Sequence, residues 1–161
     1  MALAVENRFR DAEKIVLAAQ TRGLDTEIAS YYCKLGCVMI CGAVERSVEI
    51  LITERVASRS APQIKSFLKS FFRRGTNYNC DEIIALLNRF DTGWGHSFRD
   101  FVDKNDRIKI AVSSCYAIRN SIAHGGTQSI GPAALKQYFD DAFDLIVGLE
   151  QILRIRPSAM A

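Results

Sequence analysis

The sequence predicts an all-α fold, an up-and-down bundle of four main helices with one or two short helices inserted between the second and the third. Three observations carry this. Apolar residues recur every three or four positions along almost the whole chain, the period of a helix with one buried face. No segment alternates apolar and polar residues with the period of two that marks a half-buried strand. Pro62 and Pro132 stand where helices begin, a position that costs a proline nothing because its missing N–H would be unpaired there anyway.

The elements follow in order. Val5, Phe9, Ala12, Val16 and Ala19 step by three or four and predict a first helix ending near Gly23. Asp25 or Thr26 can cap a second helix, and Ile28, Tyr31, Tyr32, Leu35, Val38, Met39, Val44, Val48, Leu51 and Ile52 extend it to about Ser58. That length exceeds the usual globular range and allows a kink near Gly36 or Gly42. Ser60-Ala61-Pro62 opens a short helix with Ile64, Phe67, Leu68 and Phe71 towards the core, and Lys65, Lys69 and Arg73 in a row. After a loop over Gly75–Cys80, Asn79 or Asp81 caps another short helix holding Ile83, Ile84, Leu87 and Phe90. Asp91-Thr92-Gly93-Trp94-Gly95-His96 reads as a break, with Trp94 anchoring it and His96 a surface or packing residue. A helix capped by Asn105 or Asp106 then turns Ile108, Val112, Cys115, Ile118 and Ile122 inwards and stops at Gly125-Gly126. Gly131-Pro132 opens the last helix, with an apolar face from Tyr138 to Leu153.

A chain of 161 residues fits one domain, read as residues 1–157 with a frayed tail at 158–161. With 48% apolar and 24% charged residues, it can build a sizeable core. A net charge of +3 does not by itself announce a nucleic-acid binder. Arg59, Lys65, Lys69, Arg73 and Arg74 do, however, form a run without any acidic residue, which suits either a solvated face or a phosphate-binding patch. The N-terminus has neither a basic start nor a long apolar stretch, and the longest apolar run, Leu35 to Val44, covers only 10 residues. A soluble cytoplasmic protein without a membrane partner is expected. Cys33, Cys37, Cys41, Cys80 and Cys115 show no zinc spacing, and the first three share one helix face as small buried side chains. No metal and no cofactor is expected.

One stretch carries plausible reaction chemistry. Tyr116, Asn120 and His124 lie one helical turn apart on one face, and Arg119 stands beside that row. His124 is five residues after Arg119, a rotation of roughly 140° that a guanidinium can swing across. A fixed cation, an amide and an imidazole therefore meet at one helix end. On spacing alone, an ion-paired arginine and a histidine interacting with the helix C-terminus account for the same residues.

The Arg119-Asn120-x-x-x-His124-Gly125 end of a helix, in an all-α chain of this size, resembles the HEPN superfamily of small helical bundles, many of them metal-independent ribonucleases. Glu45, midway along the second helix in Cys-Gly-Ala-Val-Glu-Arg-Ser, and the inserted short helices look most like the RiboL-PSP-HEPN group and its defence-associated relatives. The resemblance covers most of the chain in helix order, with only residues 119–125 specific. It implies Arg119, Asn120 and His124 as catalytic residues, with Glu45 and Tyr116 supporting; the basic run offers Lys65, Lys69, Arg73 and Arg74 as RNA-binding residues if it lies close to that motif. Glu45 would hold Arg119 or form an ordinary helix pair with Arg46; Tyr116 would stack a base or pack at an interface. It also implies a homodimer with both motifs facing one cleft, in a toxin–antitoxin, antiviral-defence or stress system, with an antitoxin or neighbouring effector protein as further partner. The tyrosine two residues after the histidine, found in relatives silenced by a nucleotidyltransferase, is Gly126 here.

RNA supplies its own nucleophile, the 2′-hydroxyl. Cleavage needs a base for that proton, an acid for the leaving 5′-oxygen and a cation for the phosphoryl charge. An imidazole, titrating ordinarily near pH 6.5, serves as acid or base but not both at once. A guanidinium offers a planar fork to phosphate oxygens. One chain provides half a site. The expected functions are a metal-independent endoribonuclease, a non-catalytic RNA- or nucleotide-binding module acting with a partner protein, or a helical dimerisation domain whose motif residues are structural.

Overall fold

A computed structural model describes residues 3–57, 60–72, 77–128 and 130–154, with the side chain of Leu3 excepted. The described residues form seven helices and no strand: α1 (Leu3–Ala19), α2 (Thr26–Ala57), α3 (Pro62–Phe71), α4 (Cys80–Phe90), α5 (Thr92–Asp103), α6 (Asp106–Ala123) and α7 (Pro132–Arg154). The long helices α1, α2, α6 and α7 make the bundle, and α2 is its axis, packing on α1, α6 and α7. Three short helices stand between α2 and α6. The basic residues Arg59, Arg73 and Arg74, and the tail at 158–161, lie outside the described residues.

The first helix forms as its pattern dictates. Val5, Phe9, Ala12, Val16 and Ala19 are all 2% exposed or less, the stripe that buries α1 against α2 and α7. Asp25 starts α2, its Oδ1 accepting the backbone N–H groups of Glu27 at 2.8 Å and Ile28 at 3.2 Å. From there α2 runs unbroken for 32 residues through Gly36 and Gly42.

Two segments depart from the expectation. The stretch at 91–96 is not a break but the start of α5: Asp91 Oδ1 accepts from Gly93 N–H at 2.7 Å and Trp94 N–H at 3.2 Å. One good cap outweighs the low helix propensity of two glycines. Trp94 packs against the core as expected, and His96 is exposed. The second departure is α3, which buries only Leu68 and leaves Ile64 44% and Phe67 63% exposed. Its apolar pattern is there, but no element covers it among the described residues.

Candidate functional site

The helix that carries the motif ends in a complete glycine cap. Gly125 takes φ +75°, its N–H donates to Ile122 O at 3.1 Å, and Gly126 N–H donates to Ser121 O at 2.7 Å. This pair of bonds is the Schellman arrangement, which satisfies carbonyls a helix end would otherwise leave open. Gly125 is needed for its left-handed backbone. Gly126 is needed for space, because a Cβ there would stand 2.0 Å from Ser121 Oγ. A tyrosine at that position has no room in this cap, which gives a physical reason for the departure at Gly126.

The cap puts His124 at the last half-helical position, φ −101° and ψ 17°, with its backbone N–H bonded to Asn120 O at 3.2 Å and Ser121 O at 3.1 Å. Its ring is exposed, and no side chain among the described residues engages it. Arg119 behaves differently. Its guanidinium does not reach for the imidazole; Nη1 donates to Asn77 Oδ1 at 2.7 Å and to Asn120 Oδ1 at 3.1 Å, and Nη2 lies 3.5 Å from Glu45 Oε1. Asn120 accordingly faces Arg119 and Asn77, whose Nδ2 is 3.5 Å from its Oδ1, rather than orienting His124.

Glu45 takes the arginine of the motif, not its neighbour: Arg46 pairs with Glu49 instead. The Glu45 carboxyl is pushed above the usual carboxylate range by burial, with Arg119 pulling it back and Glu49 adding to the rise. Its Oε1 is buried, and Arg119 stands at ion-pair distance without forming a hydrogen bond to it.

Tyr116 lies elsewhere than expected, in the core and not on an open face. It is 4% exposed, packed in the core of its own chain, and its hydroxyl donates to Cys41 O at 3.4 Å. Burial is the main cause that pushes its phenol far above the ordinary range. It offers no open ring to a base and none to a second copy. The i, i+4 row from Tyr116 to His124 therefore starts inside the protein and ends outside it, because a row at four-residue spacing drifts round a helix of 3.6 residues per turn.

Cys41 and Cys115 explain how Glu45 meets Arg119. Their sulfurs are 3.7 Å apart, and Cys115 Sγ also lies 3.7 Å from Cys37 O. Glu45 is four residues after Cys41 and Arg119 four after Cys115, so the thiol contact and the ion pair belong to one interface between α2 and α6. All five cysteines are buried and unlinked, Cys33 among them, as small apolar side chains should be.

Lys65 and Lys69 are exposed on α3, and no ion pair holds either among the described residues. Lys69 lines a cavity of about 510 Å³ with Arg46, Glu49 and Phe72; neither Arg119 nor His124 is in its wall. The structure thus brings together Glu45, Arg119 and Asn120, leaves His124 open beside them, and adds Asn77. Asn77 escaped the sequence because its partners are more than forty residues away. What signal exists is local: Tyr78 is buried and Asn79 caps α4, accepting from Glu82 N–H at 2.9 Å, so the loop is pinned and Asn77 is held outside it.

Among the described residues, no group of histidine, cysteine, aspartate and glutamate side chains forms a metal site, and no helix is long and apolar enough to cross a membrane. The model of a family described as RiboL-PSP-HEPN matches residues 4–154. Comparison with curated proteins and with solved structures gives no match.

Proposed function

The chain belongs to the RiboL-PSP-HEPN family, and from that premise we propose that it is a metal-independent endoribonuclease whose active site is completed by a second copy. The observation that carries the reading is the pairing of a held arginine with a free histidine at one helix end. Arg119 is fixed by Glu45, Asn77 and Asn120, while the His124 ring is open to solvent. A guanidinium whose position is set before substrate arrives costs little reorganisation when charge develops on a phosphate. An exposed imidazole can exchange protons.

In this mechanism the His124 imidazole of one copy takes the 2′-hydroxyl proton. The oxygen attacks the adjacent phosphorus, and the P–O5′ bond breaks to leave a 2′,3′-cyclic phosphate. The imidazolium of the second copy gives its proton to the departing 5′-oxygen. Arg119 donates to the non-bridging oxygens, with Asn120 beside it. Lys65 and Lys69 add positive potential for the strand. Membership in a toxin, antiviral-defence or stress system, with an antitoxin or effector partner, is part of the same proposal.

The second copy has a surface to meet. Ile28, Tyr31, Leu35 and Val38 on α2 are 47%, 59%, 45% and 41% exposed, and step by three, four and three. That is the seam spacing of paired helices, and two further steps reach Gly42 and Glu45. An exposed apolar seam leading to the residue that holds Arg119 supports a homodimer formed through α2 with α6 beside it.

The experiment is cleavage of mixed RNA in excess chelator by the wild-type protein and by His124→Ala and Arg119→Ala. Chelator-resistant cleavage that falls at least ~100-fold in both variants is the expected outcome. Binding without cleavage, weakened by salt and by Arg119→Ala, would instead establish a non-catalytic RNA- or nucleotide-binding module.

A further inference from the structure

We propose that Phe67, Phe71 and Arg89 form a stacking platform for unpaired bases of single-stranded RNA. The inference rests on the RNA-directed reading above and names the form of the substrate. Phe67 is the most exposed aromatic ring of the core-forming types, at 63%, on a helix whose other face is anchored by Leu68. Its ring centroid is 6.3 Å from that of Phe71, with the planes only 32° apart. On the Phe71 ring sits the Arg89 guanidinium from α4, 4.9 Å from the centroid. Phe67 is the exposed member of an aromatic pair whose second ring, Phe71, meets Arg89 and, edge to face, Phe72.

Charge decides which ligand suits it. The helix α3 carries Lys65 and Lys69 and no acidic residue, and Arg89 adds a third positive group. Lys69 is two residues from Phe67, about 200° round the helix, so the lysines stand on the opposite flank and act through their field rather than on the same base. An aromatic face on a helix with basic and no acidic residues matches a ligand that is itself a flat ring on an anionic backbone. A duplex hides its base faces and cannot use the ring. Position fits as well. Asn77, which touches Arg119, stands three residues before the start of α4, and Arg89 is nine residues into that helix, a rise of about 14 Å. One strand of a few nucleotides can span from the arginine to the platform.

The test uses a fluorescent 2′-O-methyl pyrimidine decamer, which lacks the attacking hydroxyl, and the same sequence as a duplex, titrated with the full chain. Because Phe67 is exposed, its truncation leaves the core intact, and helical circular dichroism checks this. Phe67→Ala and Phe67→Leu are expected to weaken single-strand binding about tenfold or more, Phe67→Trp to preserve or tighten it, and Arg89→Ala to weaken it with a lower salt dependence. The duplex is expected to bind weakly and to ignore all changes at Phe67. Wild-type binding by Phe67→Ala overturns the platform. So does full binding by Phe67→Leu, which would mean an apolar contact without stacking. A change in sedimentation in place of a change in binding would assign the face to a second copy and also overturn it. If natural RNA is not cleaved yet the decamer still depends on Phe67, the platform stands and the nuclease reading falls; chelator-resistant cleavage with no role for Phe67 gives the reverse.

Discussion

Asn77 and Arg119, forty-two residues apart in the chain, are joined by a 2.7 Å hydrogen bond from the guanidinium Nη1 to the amide oxygen. With Asn120 on the same nitrogen and Glu45 facing the other, the arginine is held from three sides before any substrate arrives. A phosphate can add to this arrangement without first ordering the side chain. Asn77→Ala should therefore lower kcat/KM about tenfold, the worth of one hydrogen bond to a charged group. Steady-state cleavage measures it. A rise would mean that Asn77 competes with the phosphate instead of positioning its receptor.

Arg119→Lys tests the fork. Lysine keeps the charge but presents a point donor that cannot reach Asn77, Asn120 and a phosphate together. Cleavage should fall nearly as far as in Arg119→Ala, while binding of an uncleavable RNA stays close to wild type. Equal activity of the lysine variant would show that charge alone suffices.

The buried carboxyl of Glu45 has a pH signature. Burial raises its folded-state pKa above the unfolded value, so over that interval the folded chain holds a proton the unfolded chain has lost. The contribution to stability is complete below the ordinary carboxylate pKa and fades as pH rises through the raised one. Urea midpoints of wild type measured against Glu45→Gln should diverge as pH rises through this window, with the glutamine variant losing less. Parallel curves would mean that the Arg119 charge offsets the burial cost in full.

The five thiols should be inert in the folded chain. All five are buried; burial, then the nearby Asp81, pushes Cys80 up to about 11, and hydrogen bonding to Cys37 and Cys41 pushes Cys115 up, while the bond with Cys115 lowers Cys37, which burial still shields. The thiolate is the reactive form. Reaction with an aromatic disulfide reagent at pH 8 should be negligible over minutes and reach five equivalents on denaturation. A fast equivalent in the native protein would mark an opening near α2.

The α2 seam predicts its own variant. Leu35→Asp together with Val38→Asp changes two exposed positions, so the fold should melt within about 1 kcal/mol of wild type. Sedimentation should shift towards the monomer, and cleavage should fall with it. Active monomers would remove the shared site.

Much of this was readable in advance because it is local. The stripe of α1 needs only its own period to be recognised, and so does the Gly125-Gly126 end of α6. For Glu45 the sequence leaves two partners open, Arg119 and its neighbour Arg46, and spacing does not choose between them. The failures share a cause. Periodicity shows that Ile64 and Phe67 form a face but not whether another element covers it. The glycines at 93 and 95 suggested a break because propensity is summed over residues, whereas one side-chain cap at Asp91 decides the start of α5. Asn77 depends on where a loop lands, which no local pattern encodes.

The contact of Cys41 with Cys115 gives the candidate site a gauge. Glu45 holds Arg119 across the same interface in which two sulfur atoms of the core meet. A bulkier side chain at position 115 would wedge the two rods apart and change the spacing of Glu45 and Arg119 without touching either. Interior drift in this chain should thus be visible first as altered turnover, and only later as a lower melting temperature.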